Sequence, residues 1–224
     1  MRGGELNPWW RCGAIVTIPI VRLLFRVRIE GLEHLPASGA AILAFNHVSA
    51  LDGPVLAIEV AWRHRRQSRF LVAAEFFDRP VIGAILRRFE QIPIRRGTND
   101  GAALGNAIEL VRRGALAAIA PEGTVNADGA IELQRIRRGV ARIAIPTRSP
   151  IVPVGIWGTQ RRWPRSGLRL RPPWRPALAI AIGPPLLAGD EDGGESAIDD
   201  ITQRLRDRLV VQVARARDLA DAQV

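Results

Sequence analysis

The chain has no lysine and no tyrosine, a single cysteine, and no internal repeat or low-complexity tract in its 224 residues. Without lysine every basic side chain is a guanidinium, 32 of them against 22 acids, for a formal charge of +10. Such a bias records a GC-rich coding sequence. Its physical consequence is attraction to anionic partners, whether phospholipid headgroups, CoA, acyl carrier protein or nucleic acid, and charge does not choose among them. One thiol, Cys12, excludes an internal disulfide, argues against a Cys-based metal site and suits a reducing compartment. No H-E-x-x-H and no carboxylate cluster is present to support a metal hydrolase. No Ser/Gly linker divides the chain, and at 47% hydrophobic residues it can bury one sizeable core.

Long apolar runs are also lacking. Asn7-Pro8 resembles a helix cap followed by proline at the first position, and the apolar stretch Trp9 to Val27 follows. Its longest charge-free part, Cys12 to Val21, falls well short of the ~20 residues that cross a bilayer. Arg11, Arg22 and Arg26 share one side at ~100° per residue, opposite Trp9, Val16, Ile20, Leu23, Leu24 and Val27. Pro19 should split the stretch in two. Two readings stand side by side: short amphipathic helices on a membrane surface with the arginines reaching toward phosphates, or an apolar helix packed on the domain. The absence of a small-residue cleavage site disfavours a secretory signal.

What is present is concentrated in Asn46-His47-Val48-Ser49-Ala50-Leu51-Asp52, between the apolar run Ala40 to Phe45 and Gly53-Pro54. The pattern reads as strand, sharp turn, helix start. In one regular helix His47 and Asp52 would lie about 140° apart, so contact between them needs a turn, and Pro54 suits the first turn of a helix. Asp52 then sits at a helix N-terminus, where negative charge is favoured. Imidazole, with an ordinary pKa of about 6.5, can take a hydroxyl proton while a carboxylate on its other nitrogen fixes the tautomer. That is general-base chemistry without a Ser or Cys nucleophile. Taken alone, an H-x4-D is more often a loop cap.

Asn-His-x-Ser-x-x-Asp resembles the first motif of the glycerolipid acyltransferase family, which includes the 1-acylglycerol-3-phosphate acyltransferases. The resemblance implies that His47 is the catalytic base and Asp52 its orienter, with Asn46 and Ser49 as motif positions. It continues in order along the chain, from about Glu30 to Val154. Gln91 to Gly97 is similar to the second motif, in which an Arg closing a short apolar strand binds the acceptor's phosphate; register favours Arg96, with Arg95 a second cation where the family has an acid or small polar group. A guanidinium suits phosphate because it presents a rigid fork of donors. Pro121-Glu122-Gly123-Thr124 resembles the third motif. Gly123 permits a positive-φ turn that aims N–H groups at a phosphate or an oxyanion, and Glu122 either bonds acceptor hydroxyls or anchors the turn. Val125-Asn126 stand where the family often has Arg-Ser, and Arg137, at a place often held by Lys, partly compensates. Ile151 to Ile156 is similar to the fourth motif.

Elsewhere the pattern predicts strands at Val27 to Glu30, Phe70 to Ala74, Ala115 to Ala120 and Ala177 to Ile182. Helices are expected over Pro54 to Trp62, over an apolar patch of Phe76, Phe77, Val81, Ile82, Ile85 and Leu86 read as acyl wall or ordinary core, and from a Thr98-Asn99-Asp100 cap to Arg113. A closing helix capped by Ser196 carries the stripe Ile198, Ile201, Leu205, Leu209, Val213 and Ala216. His34 is expected to face solvent, Arg63 to Arg66 to be a solvated helix end, and the Trp/Arg mixture from Trp157 to Pro176 to be an interfacial or solvated loop.

The expected fold is α/β, a central, largely parallel sheet flanked by helices, with residues 1–26 as an amphipathic membrane-attachment segment and 27–224 as the catalytic domain. The expected activity moves an acyl chain from acyl-CoA or acyl-ACP to the hydroxyl of 1-acylglycerol-3-phosphate at the cytoplasmic face of the membrane, with no metal or bound cofactor. Alternatives are another lysolipid or glycolipid acceptor, or a non-catalytic Arg-rich protein binding membrane or nucleic acid. Arginines scattered through every element rather than massed in one groove disfavour nucleic acid.

Overall fold

The computed structural model describes residues 6–95, 101–128, 130–188 and 194–222. The chain order is helix α1 (Pro8–Leu24), strands β1 (Arg26–Glu30) and β2 (Ala41–Phe45), helix α2 (Asp52–His64), strand β3 (Ser68–Ala73), helix α3 (Pro80–Arg88), strand β4 (Ile92–Ile94), helix α4 (Gly101–Arg112), strand β5 (Leu116–Ile119), helix α5 (Gly139–Thr147), strands β6 (Ile151–Trp157) and β7 (Ala177–Ile182), and helix α6 (Glu195–Asp221). The strands form one sheet in the order β1-β7-β6-β2-β5-β3-β4. Every pairing is parallel except β6 with β7.

The apolar runs Ala41 to Phe45, Leu116 to Ile119 and Ile151 to Ile156 lack polar alternation because helices cover both faces of the sheet, and each of their residues is buried. On one face α4, α5 and α6 enclose Ile42, Ile143, Ile151, Ile201 and Leu205, and on the other α1 and α2 enclose Leu43, Val55, Leu56, Val154 and Ile180. The α6 stripe predicted from periodicity is buried at all six positions. Gly155 is required there, since an added Cβ would stand 2.0 Å from the Gln212 carbonyl oxygen where α6 crosses β6.

Five strands, β3 to β6 and β2, point the same way, so their C-terminal ends deliver the following loops to one edge of the sheet. That edge is where α/β proteins build sites.

Several expectations change. The N-terminal segment is one helix, not two: Asn7 Oδ1 accepts from the Trp10 N–H at 3.0 Å, and Pro19 lies within the helix. Proline costs only the bond to the Ile15 carbonyl, on an exposed face where water replaces it. α1 packs on the domain through Trp10, Ala14, Ile18 and Val21, while Trp9, Val16, Ile20 and Leu23 on its opposite side are exposed. Arg22 does not reach outward; it grips the buried Glu59 of α2 with two bonds of 2.5 and 2.9 Å. The α3 patch is not ordinary core, since Val81, Ile82 and Ile85 are exposed and only Phe77 of the six is buried.

His34 is held by the Ile182 carbonyl at 2.8 Å rather than left to solvent. The Arg63 to Arg66 block is solvated at Arg63 and Arg65, as expected, but not at His64 and Arg66. Arg63 pairs with Glu59, His64 meets the Leu32 carbonyl, and Arg66 is buried on the Pro36 and Gly39 carbonyls. Gly194, not Ser196, caps α6. The proposed cap of α4 at Thr98-Asn99-Asp100 lies outside the described residues.

Candidate active site

β2 ends at Phe45 and the chain turns sharply through 46–51 into α2, bringing His47 Nδ1 to 3.1 Å from Asp52 Oδ2. The same oxygen accepts the N–H groups of Val48 and Ser49, each at 2.7 Å. Asp52 is fully buried at the first turn of α2, where the helix dipole and these two N–H groups offset the loss of hydration. Its other oxygen accepts from Thr159 Oγ1 at 2.5 Å. A carboxylate that takes donors from Val48, Ser49 and Thr159 has only lone pairs to offer the imidazole, so Nδ1 carries the proton and Nε2 presents its lone pair. His47 Nε2 has no protein partner among the described residues, and the side chain keeps 17% of its surface open.

The rest of the first motif holds that turn in place. Asn46 acts as an extra rung of the sheet, with Nδ2 donating to the Ile156 carbonyl at 3.0 Å and Oδ1 accepting its N–H at 2.7 Å. Ser49 Oγ donates to the Trp163 carbonyl at 2.6 Å and accepts the Leu51 N–H.

Glu122 anchors its turn. Its two oxygens accept the N–H groups of His47 at 2.7 Å and Gln134 at 2.9 Å, and at 3% exposure it has no face left for a substrate hydroxyl. Burial pushes the Glu122 carboxyl above the ordinary range, against the opposing pull of those N–H groups and the Asn126 side chain. Gly123 has φ of 74°, as the turn requires, but its N–H is spent on the Ala120 carbonyl at 3.0 Å, so it is not an oxyanion donor. The N–H groups of Thr124 and Val125 have no acceptor among the described residues. Arg137 lies across the turn, its Nε 2.9 Å from where a Gly123 Cβ would be, with no acid paired to it among the described residues. Asn126 is buried, its N–H donating to the His47 carbonyl at 2.7 Å. The position where the family often has a polar Ser is therefore structural here.

Arg95 is exposed just past β4, and Arg96 lies outside the described residues. Two strands, β5 and β3, separate β4 from β2, which sets the Arg strand about 14 Å to one side of the His47 strand. On the other side the 157–176 loop folds back over the turn through Thr159 and the Trp163 carbonyl, while Leu168, Leu170 and Trp174 stay exposed. Thr159, which bonds Asp52, is the site residue that sequence reasoning missed. Its one signal was a hydroxyl two residues beyond a buried apolar strand, at the strand end where α/β proteins place their sites.

A sequence profile of the Acyltransferase family matches residues 26–157, from β1 to the end of β6. The chain belongs to that family. An uncharacterized protein of Mycobacterium tuberculosis is 34% identical over 65% of this chain and 42% of its own length, and one of Mycobacterium leprae is 34% identical over 62% and 38%. The chain thus spans about two fifths of the length of these mycobacterial relatives. The chloroplastic 1-acyl-sn-glycerol-3-phosphate acyltransferase LPAT1 of Arabidopsis thaliana is 29% identical over 62% of the chain and 38% of its own length. Among solved structures, the 1-acyl-sn-glycerophosphate acyltransferase PlsC of Thermotoga maritima shares the fold, with a TM-score of 0.68 over 92% of this chain and 79% of its own, at 22% identity. The largely parallel sheet with flanking helices expected from the sequence is the fold observed.

Proposed function

We propose that the chain is an O-acyltransferase that moves an acyl group from acyl-CoA or acyl-ACP to the hydroxyl of a lysophospholipid, with 1-acylglycerol-3-phosphate as acceptor. The observation that carries this reading is the His47–Asp52 pair with Nε2 open to the site. Nε2 takes the acceptor's hydroxyl proton as the oxygen attacks the thioester carbonyl. The charge that develops on the carbonyl oxygen is met by N–H donors, for which Thr124 and Val125 are the candidates. Collapse breaks the C–S bond, and the departing thiolate recovers the proton from His47. A thioester is already activated, so the route draws on no metal or bound cofactor. Both substrates must be present together.

Arg96 with Arg95, and Arg137 beside Gly123, are the candidates for the acceptor's phosphate, approached from the β4 side. The Acyltransferase family profile, and the names of the plant relatives and of PlsC, support this acceptor class. One observation favours a second reading: Val125 and the buried Asn126 replace an Arg-Ser that would contact phosphate, which suits a different lysolipid or a glycolipid. Lipid mass analysis of a single reaction with mixed donors and acceptors separates the two. Preferential acylation of 1-acylglycerol-3-phosphate supports the first, and its exclusion in favour of another headgroup supports the second.

Among the described residues no helix is long and apolar enough to cross a membrane. The reading places the protein peripherally, at the cytoplasmic face where anionic lipid attracts its positive charge. The attaching surface is the outer side of α1 with that of α3, which meet where Arg88 stacks on Trp9 at 3.9 Å and Phe89 packs edge-on to Trp10. Exposed Trp9, Ile20, Leu23, Val81 and Ile85 supply the apolar contact.

A further inference from the structure

The 157–176 loop encloses a cavity of about 310 Å³ on the side of the His47 turn away from β4, with Val48 of that turn in its wall. Four guanidinium groups line it, those of Arg161, Arg162, Arg169 and Arg171, against one carboxylate, Asp128. Asp128 is already matched by Arg169 at 2.8 Å. Arg161 meets the exposed Asp221 at 3.3 Å, and Arg171, exposed, has no acid paired to it among the described residues.

Arg162 is the informative member. It is 3% exposed, it has no carboxylate partner among the described residues, and its charge is met only by the carbonyls of Arg171 at 2.8 Å and Pro173 at 2.7 Å. Its Nε–H is buried with no acceptor among the described residues. Among the described residues the other buried or half-buried guanidiniums differ: Arg22 holds Glu59, Arg69 also leaves one buried donor, Nη1, without a partner but has Glu90 to balance its charge, and Arg66 leaves no buried donor over. A buried cation in a cavity wall with no carboxylate to balance it is costly, and an anion in the cavity offsets that cost.

We propose that this cavity binds the phosphate of the phosphopantetheine arm of the acyl donor, the group that CoA and acyl carrier protein share. The inference rests on the acyl-transfer reading and assigns the donor to the β6 side of His47, leaving the β4 side to the acceptor. The arm separates thioester from phosphate by two amide units, which suits an anion site set off from the reacting atoms. Trp157, Pro164 and Pro172 in the wall offer apolar contact to the rest of the arm. Thr159 and the Trp163 carbonyl, bonded to Asp52 and Ser49, tie the donor loop to the catalytic turn.

Calorimetry on the full chain with CoA, 4′-phosphopantetheine and pantetheine tests the site without relying on turnover. The expected result is that the two phosphate-bearing ligands bind and pantetheine binds at least about tenfold more weakly. Arg171→Ala, at an exposed position whose side chain has no partner among the described residues, should weaken the phosphate-bearing ligands by about tenfold and leave pantetheine unchanged, with an unaltered melting temperature. Holo and apo acyl carrier protein as further ligands show whether the arm is also taken from the carrier. Pantetheine binding as tightly as phosphopantetheine, no binding of either phosphate ligand, or an Arg171→Ala protein indistinguishable from wild type would each overturn the proposal. Acyl transfer measured on the same preparation is a separate readout: phosphopantetheine binding without transfer to any acceptor counts against the enzymatic reading and leaves the phosphate site standing.

Discussion

Replacing Thr159 by Val tests whether the 157–176 loop is part of the catalytic machinery. The Thr159 hydroxyl donates to Asp52 Oδ1 at 2.5 Å, both groups are fully buried, and the acceptor is a carboxylate, so the bond is of the strong, charge-assisted kind. Valine keeps the shape and removes the donor, leaving one oxygen of a buried carboxylate unpartnered, at a cost of about 1.5–3 kcal/mol in stability. Asp52 then turns to recover a donor, and the His47 imidazole it orients moves with it. If about 2 kcal/mol of that loss is felt in the transition state, turnover falls roughly 30-fold. Thr159→Ser should restore most of both. Urea denaturation and acyl-transfer rates on the three proteins give the answer. A Thr159→Val protein with wild-type stability and turnover would refute the reasoning, and loss of stability without loss of turnover would confine Thr159 to folding.

Glu122→Gln sets an amide NH2 against the N–H of His47 or Gln134, so it should cost about 1–3 kcal/mol and lower activity by shifting the His47 backbone. Because burial raises the Glu122 carboxyl above its unfolded value, the folded state keeps that proton to higher pH. Wild-type stability relative to the variant should therefore fall as pH rises from the ordinary carboxylate range through the raised value, and a difference that grows instead contradicts the sign. Arg96→Ala should raise KM for a phosphate-bearing acceptor more than for the donor, with Arg95→Ala weaker; equal effects on both substrates would remove Arg96 from the acceptor site. Ile20→Asp with Leu23→Asp, on the outer side of α1, should reduce vesicle co-sedimentation without shifting the melting temperature, whereas Arg22→Ala should destabilise by less than the ~3–5 kcal/mol of a fully buried pair because Arg63 still meets Glu59. Unchanged vesicle binding in the double variant would end the membrane role of α1.

The sheet was legible because β2, β5, β6 and β7 are apolar runs without alternation, a signature of burial on both faces, and because α6 repeats its core residues at a strict helical period. The His47 turn was legible for a geometric reason, since five residues cannot join two side chains on one helix. What sequence could not reveal were contacts made across long separations. Thr159 meets Asp52 over 107 positions, Arg22 meets Glu59 over 37, and neither leaves a local pattern. The arginines misled in the same way. A guanidinium in a list of charges looks solvated, yet Arg66 and Arg162 are buried because main-chain carbonyls accept their hydrogen bonds. α1 deceived by being apolar on two sides: periodicity marked the outer one, while the inner one carries the packing. Both family-like and departing residues around Pro121 served the turn itself, so Glu122 and Asn126 prove to be scaffolding for the His47 backbone.

The most direct test of the central claim is turnover of His47→Ala measured beside its thermal melting, with acyl-CoA and 1-acylglycerol-3-phosphate as substrates. His47 is partly open at the surface of the turn and among the described residues its imidazole makes one hydrogen bond, to Asp52, so alanine should leave the fold intact. The account predicts a melting temperature near that of wild type with acyl transfer reduced by about 10²–10⁴-fold, the contribution of a positioned base. A folded His47→Ala protein that still transfers the acyl group at the wild-type rate would contradict it.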